Sequence, residues 1–259
     1  MSNELYEAFF IKGGLPMYIV STNGSPISAA KLHQLEQERQ LTLPEAYVRF
    51  LTLNGPGTYR GWFNIEVPDS GVLEPFAEEE FWEHNDASPI TQQQIAECVS
   101  IGTTIDGDFL AVHSDVKGIL WLPRHSEIIE LYAEVANEHA DYTELLDQIY
   151  SEKLAQEAAA PPYFEPWTQT RKHQFFHFAP DKAGYELPEL ARECKESFQP
   201  DFQIENAYTC TLFLQRLGGY IRFNYAYRLE VAVFYEEGQE PLLQQITAFL
   251  VAHNCKLLT

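Results

Sequence analysis

The sequence predicts an α+β protein in two parts: an acidic domain over residues 1–160 and a smaller α+β domain over residues 165–259. Three observations predict it. At 259 residues the chain exceeds the usual single-domain length of roughly 100–200 residues. Apolar residues recur at helical spacing in some stretches and alternate strictly in others, in both halves of the chain. The proline pair Pro161-Pro162 closes a run of alanines where the charge changes: 26 acidic against 8 basic residues up to residue 160 (net −18), then 12 against 9 (net −3).

The first helix starts after Pro26, with Ser25 or Ser28 as cap and Ile27, Leu32 and Leu35 apolar among charged neighbours. A second, short helix is bracketed at both ends. Pro44 suits its first residue because a missing N–H costs nothing there, and Asn54-Gly55-Pro56-Gly57 forbids continuation. Tyr47, Phe50 and Leu51 form its apolar stripe, which Leu43 and Leu53 extend, and Glu45 and Arg49 its polar face. Residues 61–67 then alternate as a half-buried strand does. Residues 72–89, VLEPFAEEEFWEHNDASP, form a helix or loop and hold the densest acidic run in the chain. Strands are expected at residues 98–101, 108–113, 118–122 and 127–132, with turns at TTIDG and SDVKG. Asp141 caps a last helix through Leu145, Leu146, Ile149 and Leu154.

In the second part, residues 173–178 read as a strand and 187–198 as a helix. Residues 207–217 and 220–235 alternate around Gly218-Gly219, which supplies the positive φ of a tight hairpin. An amphipathic helix spans 241–253, with a possible end strand at 256–259. The order is β-α-β-β-α, a ferredoxin-like pattern with two helices on one face of a small sheet.

Acidic residues outnumber basic ones 38 to 17, for a net charge of −21, which disfavours nucleic acid and anionic membranes as partners and favours basic proteins. Cys98, Cys194, Cys210 and Cys255 are scattered without metal-ligand spacing and read as buried free thiols. The opening residues lack a basic, apolar leader, and no window approaches the ~18 apolar residues of a membrane span, so a cytoplasmic protein is expected.

The ordered set Leu43, Pro44, Tyr47, Phe50, Leu51, Asn54, Gly55, Ile101, Gly102, Gly107, Asp108 and Glu127 resembles the SUKH superfamily over about residues 25–150. That family is named for yeast regulators of cell-wall synthesis and their bacterial relatives. Two features depart from the family pattern: Pro56 stands where a second glycine is usual, and the glycine-rich run before Asp108 is thinned to Thr103-Thr104-Ile105-Asp106. The resemblance implies a central antiparallel or mixed sheet flanked by helices and a role in binding proteins, in many bacterial members the neutralisation of toxins. It carries over no catalytic apparatus and no cofactor.

The candidate partner-binding residues are Glu78, Glu79, Glu80, Phe81, Trp82, Glu83 and Asp86. They are either a solvated surface, with the two aromatics anchoring the loop to the core, or a binding hot spot inside an acidic rim. Asp106, Asp108 and Asp115 could suggest a cation site, but the ligand series of a calcium loop is absent, so turn-forming aspartates and no metal are expected. His125, Glu127 and Asp108 could pass for an acid–base set, yet no nucleophile elbow accompanies them. LNGPGTYRG lacks the Lys-Ser/Thr of a phosphate loop. Arg216, Arg222 and Arg228 with Tyr220, Tyr225 and Tyr227 imitate a single-strand platform, which the domain's charge of −3 opposes. The expectation is a non-enzymatic protein-binding protein, an immunity protein against a basic toxin. Its rivals are a housekeeping or regulatory interaction protein and an enzyme with a site between the domains.

Overall fold

The computed structural model describes residues 17–79, 81–125, 128–133, 141–154, 162–180 and 184–258. The chain divides into two compact units: residues 24–167, and residues 17–23 together with 168–258.

After β1 (Tyr18–Ile19), which belongs to the second unit, the first unit begins with α1 (Ala29–Arg39) and α2 (Glu45–Asn54). Ser28 caps α1 by accepting the Lys31 N–H on its hydroxyl at 3.3 Å. Pro44 stands one place before α2, and Gly55 ends it at φ +74, where an added Cβ would lie 2.4 Å from the Ser25 carbonyl oxygen. Tyr47, Phe50, Leu51 and Leu43 are buried as their spacing predicts. Leu53 is not: it sits on the outer side of the helix, exposed.

Strands β2 (Gly57–Tyr59), β3 (Phe63–Asp69), β4 (Val99–Thr104), β5 (Phe109–His113), β6 (Val116–Leu122) and β7 (Glu130–Tyr132) follow, then α3 (Tyr142–Lys153) and β8 (Tyr163–Pro166). Within this unit they hydrogen-bond in the order β8-β2-β3-β4-β5-β6-β7, antiparallel at every join. The expected domain break at Pro161-Pro162 precedes β8, and Pro161 lies outside the described residues. The unit runs on to Trp167 because β8 pairs with β2, and Trp167 donates its N–H to the Pro56 carbonyl and its indole N–H to Thr58 Oγ1, each at 3.0 Å.

The two faces of this sheet are covered differently. On one, α3 lies over Trp62 and Trp121, with Tyr150 5.6 Å from Trp62 and the Lys153 ammonium 5.5 Å from the Trp121 ring, and Tyr142 packs edge-on to Tyr47 and Phe50 of α2. On the other, Ala111, Leu120 and Leu122 pack under Leu73, Trp82, Ile90, Ile95 and Cys98, all from the connection between β3 and β4. The described residues of that connection hold two 3-10 turns, Glu74–Ala77 and Gln93–Glu97, and no α-helix.

The second unit continues with β9 (Arg171–Phe178), α4 (Leu187–Phe198), β10 (Phe202–Glu205), β11 (Thr209–Leu214), β12 (Gly219–Asn224), β13 (Glu230–Glu236), α5 (Glu240–Ala252) and β14 (Cys255–Leu257). Its sheet order is β10-β11-β12-β13-β9-β14, antiparallel at every join. Leu190 and Cys194 of α4 and Ile246 and Leu250 of α5 share one core with Phe176, Leu212, Ile221, Phe223, Val231 and Val233, so both helices cover the same face.

The ferredoxin-like β-α-β-β-α order is not found, because four strands rather than two lie between the helices. The stretch 220–235 is two strands whose odd-numbered residues both face the core, and the turn between them is five residues long. An odd-length turn keeps the parity, and Tyr225, Tyr227 and Leu229 extend the apolar alternation straight through it. No glycine marks the bend; Arg228 takes the left-handed conformation at φ +58. The four cysteines are buried and unpaired.

Candidate functional site

The β3–β4 connection is built from side-chain-to-backbone ties rather than from a repeating backbone pattern. Asp69 Oδ1 accepts the N–H groups of Gly71 and Val72 at 2.8 and 3.2 Å, turning the chain out of β3. The Gln92 amide nitrogen then donates to the carbonyls of Phe76, Ala77 and Glu79 at 3.0, 2.8 and 2.8 Å. Trp82 sinks into the core, 3% exposed, and its indole N–H donates to the Pro123 carbonyl at 2.9 Å. The His84 Nδ1–H donates to the Ile90 carbonyl at 2.9 Å. A peg, an amide brace and a ring thus fix the loop against the sheet.

What the loop turns outward is acidic. Glu78, Glu79, Glu83 and Asp86 are exposed, and among the described residues none of them makes an ion pair. Glu80 lies outside the described residues. Phe81 is 40% exposed and rests on Phe76 and Trp82, with ring centroids 5.9 and 5.0 Å away. The two aromatics of the acidic run therefore have opposite roles: Trp82 anchors the loop and presents nothing to a partner, whereas Phe81 stands at the surface among carboxylates.

The other sequence-derived candidates are dispersed. Asp108 accepts from the Thr104 hydroxyl at 2.6 Å and from the Arg124 N–H at 2.8 Å, so its carboxylate pins the β4–β5 turn to the end of β6. Asp106 accepts the Trp62 indole N–H at 2.6 Å, and Asp115 takes a 3.3 Å bond from Gln94. The described residues contain no cluster of His, Cys, Asp or Glu suited to a metal ion. His125 is exposed, no hydrogen bond or ion pair joins it to Asp108, and Glu127 lies outside the described residues. Of the remaining family-motif positions, Leu43, Tyr47 and Phe50 are core, and Gly102 is required because a Cβ there would stand 2.6 Å from the Asn64 carbonyl oxygen.

In the second unit the arginine–tyrosine set does not converge. Arg216 donates to the Phe198 carbonyl, Arg222 lies 5.4 Å over the Phe234 ring, Arg228 approaches Glu186 at 3.9 Å, and the Tyr225 hydroxyl donates to Glu205 at 2.8 Å.

Several polar features were not singled out from sequence. Asp147 of α3 accepts from the Tyr59 hydroxyl at 2.7 Å and from Arg60 Nε at 2.6 Å, tying α3 to β2. Burial, then the Asp147 charge, holds the Tyr59 hydroxyl well above its ordinary pKa. A cleft of about 380 Å³ is lined by Glu38, Arg39, Ser70, Glu97 and Ser114 among others. Beside it the buried His113 accepts the Asp115 N–H on Nδ1, which leaves its proton on Nε2, 3.4 Å from Glu97 Oε2. Burial, then the Glu97 charge, pushes the Cys98 thiol up to about 12, so this thiol stays protonated and unreactive at neutral pH.

The chain matches the model of the SMI1 / KNR4 family (SUKH-1) over residues 26–162, just over half of its length. Neither the comparison with curated proteins nor that with solved structures finds a match. No described helix is long and apolar enough to cross a membrane.

Proposed function

We propose, from the premise that this chain belongs to the SMI1/KNR4 (SUKH-1) family, that it is a non-enzymatic protein-binding protein and that it serves as an immunity protein against a basic toxin. The family includes immunity proteins and is typically non-catalytic. The observation that carries the reading is the half-exposed Phe81 set among Glu78, Glu79, Glu83 and Asp86 on a loop held by Trp82 and Gln92.

Its physics is that of a steered association. Unpaired carboxylates on a chain of net charge −21 raise the encounter rate with a basic surface by about 10-fold to 1000-fold at low salt. Phe81 then supplies an apolar anchor whose burial completes the contact. Because the loop is braced beforehand, little ordering entropy is lost on docking.

The test is direct binding between the purified full chain and the products of the genes that flank its own, measured by calorimetry and by protection of cells expressing them. Tight binding to a basic neighbour-encoded toxin, with cells rescued, supports the reading. No binding to any such product would sink the immunity assignment and leave a regulatory interaction protein.

A further inference from the structure

One end of the first unit's sheet gathers opposite charges that are not paired with each other. Four segments meet there around the cleft of about 380 Å³: the last turn of α1, the exit of β3, the 3-10 turn before β4 and the β5–β6 turn. The first supplies Glu38 and Arg39, the second Ser70, the third Glu97 and the fourth Ser114. Among the described residues the Arg39 guanidinium and the Ser70 and Ser114 hydroxyls make no hydrogen bond or ion pair. Arg39 thus stands beyond ion-pair reach of Glu38 and Glu97, although all three line one cleft.

The lining is held in place. Gln40 ends α1 in the left-handed conformation at φ +52, its N–H and that of the buried Leu41 both on the Glu36 carbonyl. The Glu36 carboxylate accepts the Leu43 N–H at 2.8 Å and fixes the chain that leaves the helix. The Gln94 amide donates to the Asp115 carboxylate at 3.3 Å, joining the 3-10 turn to the β5–β6 turn. Beneath Glu97 lies His113, whose side chain is fully buried and whose Nε2 makes no hydrogen bond among the described residues. A buried N–H in that state is costly to a fold. It is aimed at Glu97 Oε2, 3.4 Å away, and so orients a carboxylate of the cleft wall without neutralising it.

We propose that this cleft binds a free basic α-amino acid, of the lysine, ornithine or arginine class, with Arg39 on its carboxylate and Glu38 and Glu97 on its two cationic groups. Charge complementarity selects the ligand. Two carboxylates and a guanidinium held apart match two cations and one anion on a single small molecule, and the serine hydroxyls supply further hydrogen bonds. The exposed Asp69 and Asp115 stand next to Ser70 and Ser114 in the chain, so the surrounding field is negative and favours a ligand of net positive charge. The volume falls within the range of small-molecule sites, roughly 300–1,000 Å³.

The test is calorimetric titration of the full chain with L-lysine and three analogues. Cadaverine lacks the carboxylate, norleucine lacks the side-chain ammonium, and Nα-acetyllysine imitates the carboxyl end of a protein chain. Expected is one lysine bound with a Kd below about 1 mM, and each analogue weaker by about 10-fold or more. Arg39→Gln and Glu97→Gln each weaken lysine by about 10-fold or more without lowering the melting temperature of the free chain, and Arg39→Gln removes the preference for lysine over cadaverine. The imidazole nitrogen resonances of His113 shift as lysine binds. No heat up to about 10 mM lysine, any analogue bound as tightly as lysine, or variants that bind like the wild type would overturn the proposal. A chain carrying Glu78→Gln, Glu79→Gln and Glu83→Gln keeps its lysine affinity, which separates this cleft from the acidic loop.

Discussion

The two faces of the first unit's sheet are covered by unlike materials. On one, α2 and α3 bring Tyr47, Phe50, Leu51 and Tyr142 down at helical spacing. On the other, a connection with no α-helix among its described residues brings Leu73, Trp82, Ile90 and Ile95 down one at a time, with Trp82 tied to the Pro123 carbonyl and the Gln92 amide bracing the loop. Helical cover leaves a regular polar face, such as Glu45 paired with Arg49 at 3.8 Å. Irregular cover has no such obligation, and here it places outward carboxylates that make no ion pair among the described residues. The difference teaches that the ties holding the loop run through Asp69, Trp82 and Gln92, and that none of them uses the carboxylates of Glu78, Glu79, Glu83 or Asp86.

Trp82→Ala is expected to have the largest effect, a loss of about 3–5 kcal/mol, comparable with the ~2–5 kcal/mol of Leu51→Ala on the helical face. Urea unfolding followed by tryptophan fluorescence reads this unit alone, since Trp62, Trp82, Trp121 and Trp167 all belong to it. A Trp82→Ala variant as stable as the wild type would mean that the connection is surface and not core. Gln92→Ala comes next, at about 1–3 kcal/mol, because three carbonyls lose their shared donor. Hydrogen exchange should quicken at residues 76–79 and stay unchanged in α2.

Two carboxyls, one in each unit, should respond to acid in opposite directions. Burial raises the Glu66 carboxyl above its ordinary 4.5, so its cost to the first unit is present at neutral pH and relieved as pH falls through the raised value. For Glu236 of the second unit burial also pushes upward, but the Thr170 and Thr168 hydroxyls and Arg171 outweigh it and lower the value. Its contribution is complete above 4.5 and is lost as pH falls through the lowered value. The protection factors of the Val231 and Val233 amides, taken against the intrinsic exchange rate at each pH, should therefore fall with acid, and Glu236→Gln should remove that fall. Phe81→Ala is expected to cost the first unit less than about 1 kcal/mol, since the ring is only half covered, while weakening partner binding at least as much.

Much of the fold could be read from residues whose constraint is local. Pro44 and Gly55 bracket α2, the 61–67 alternation marks β3, and the ordered motif positions point to the family. The cover could not be read, because side chains such as Gln92 and Asp69 satisfy the backbone there and leave no period in the sequence. The same holds for the Arg60–Asp147 tie, whose partners are far apart in the chain. In the second unit the turn at 225–229 is hidden by Tyr225, Tyr227 and Leu229, which continue the strand alternation although Tyr227 and Leu229 stand in solvent. For the candidate site, sequence located the acidic run and its aromatics but not that Trp82 points inward and Phe81 outward.

The most direct measurement is the association rate with a basic neighbour-encoded toxin, taken by stopped flow across ionic strength for the wild-type chain and for Glu78→Gln/Glu79→Gln/Glu80→Gln/Glu83→Gln. The expected result is a wild-type rate that falls steeply with salt, and a variant that associates more slowly at low salt with a flatter dependence. Its stability should change by less than ~0.5 kcal/mol. Rates and salt slopes that coincide for the two chains would contradict a role for the acidic cover in meeting a partner.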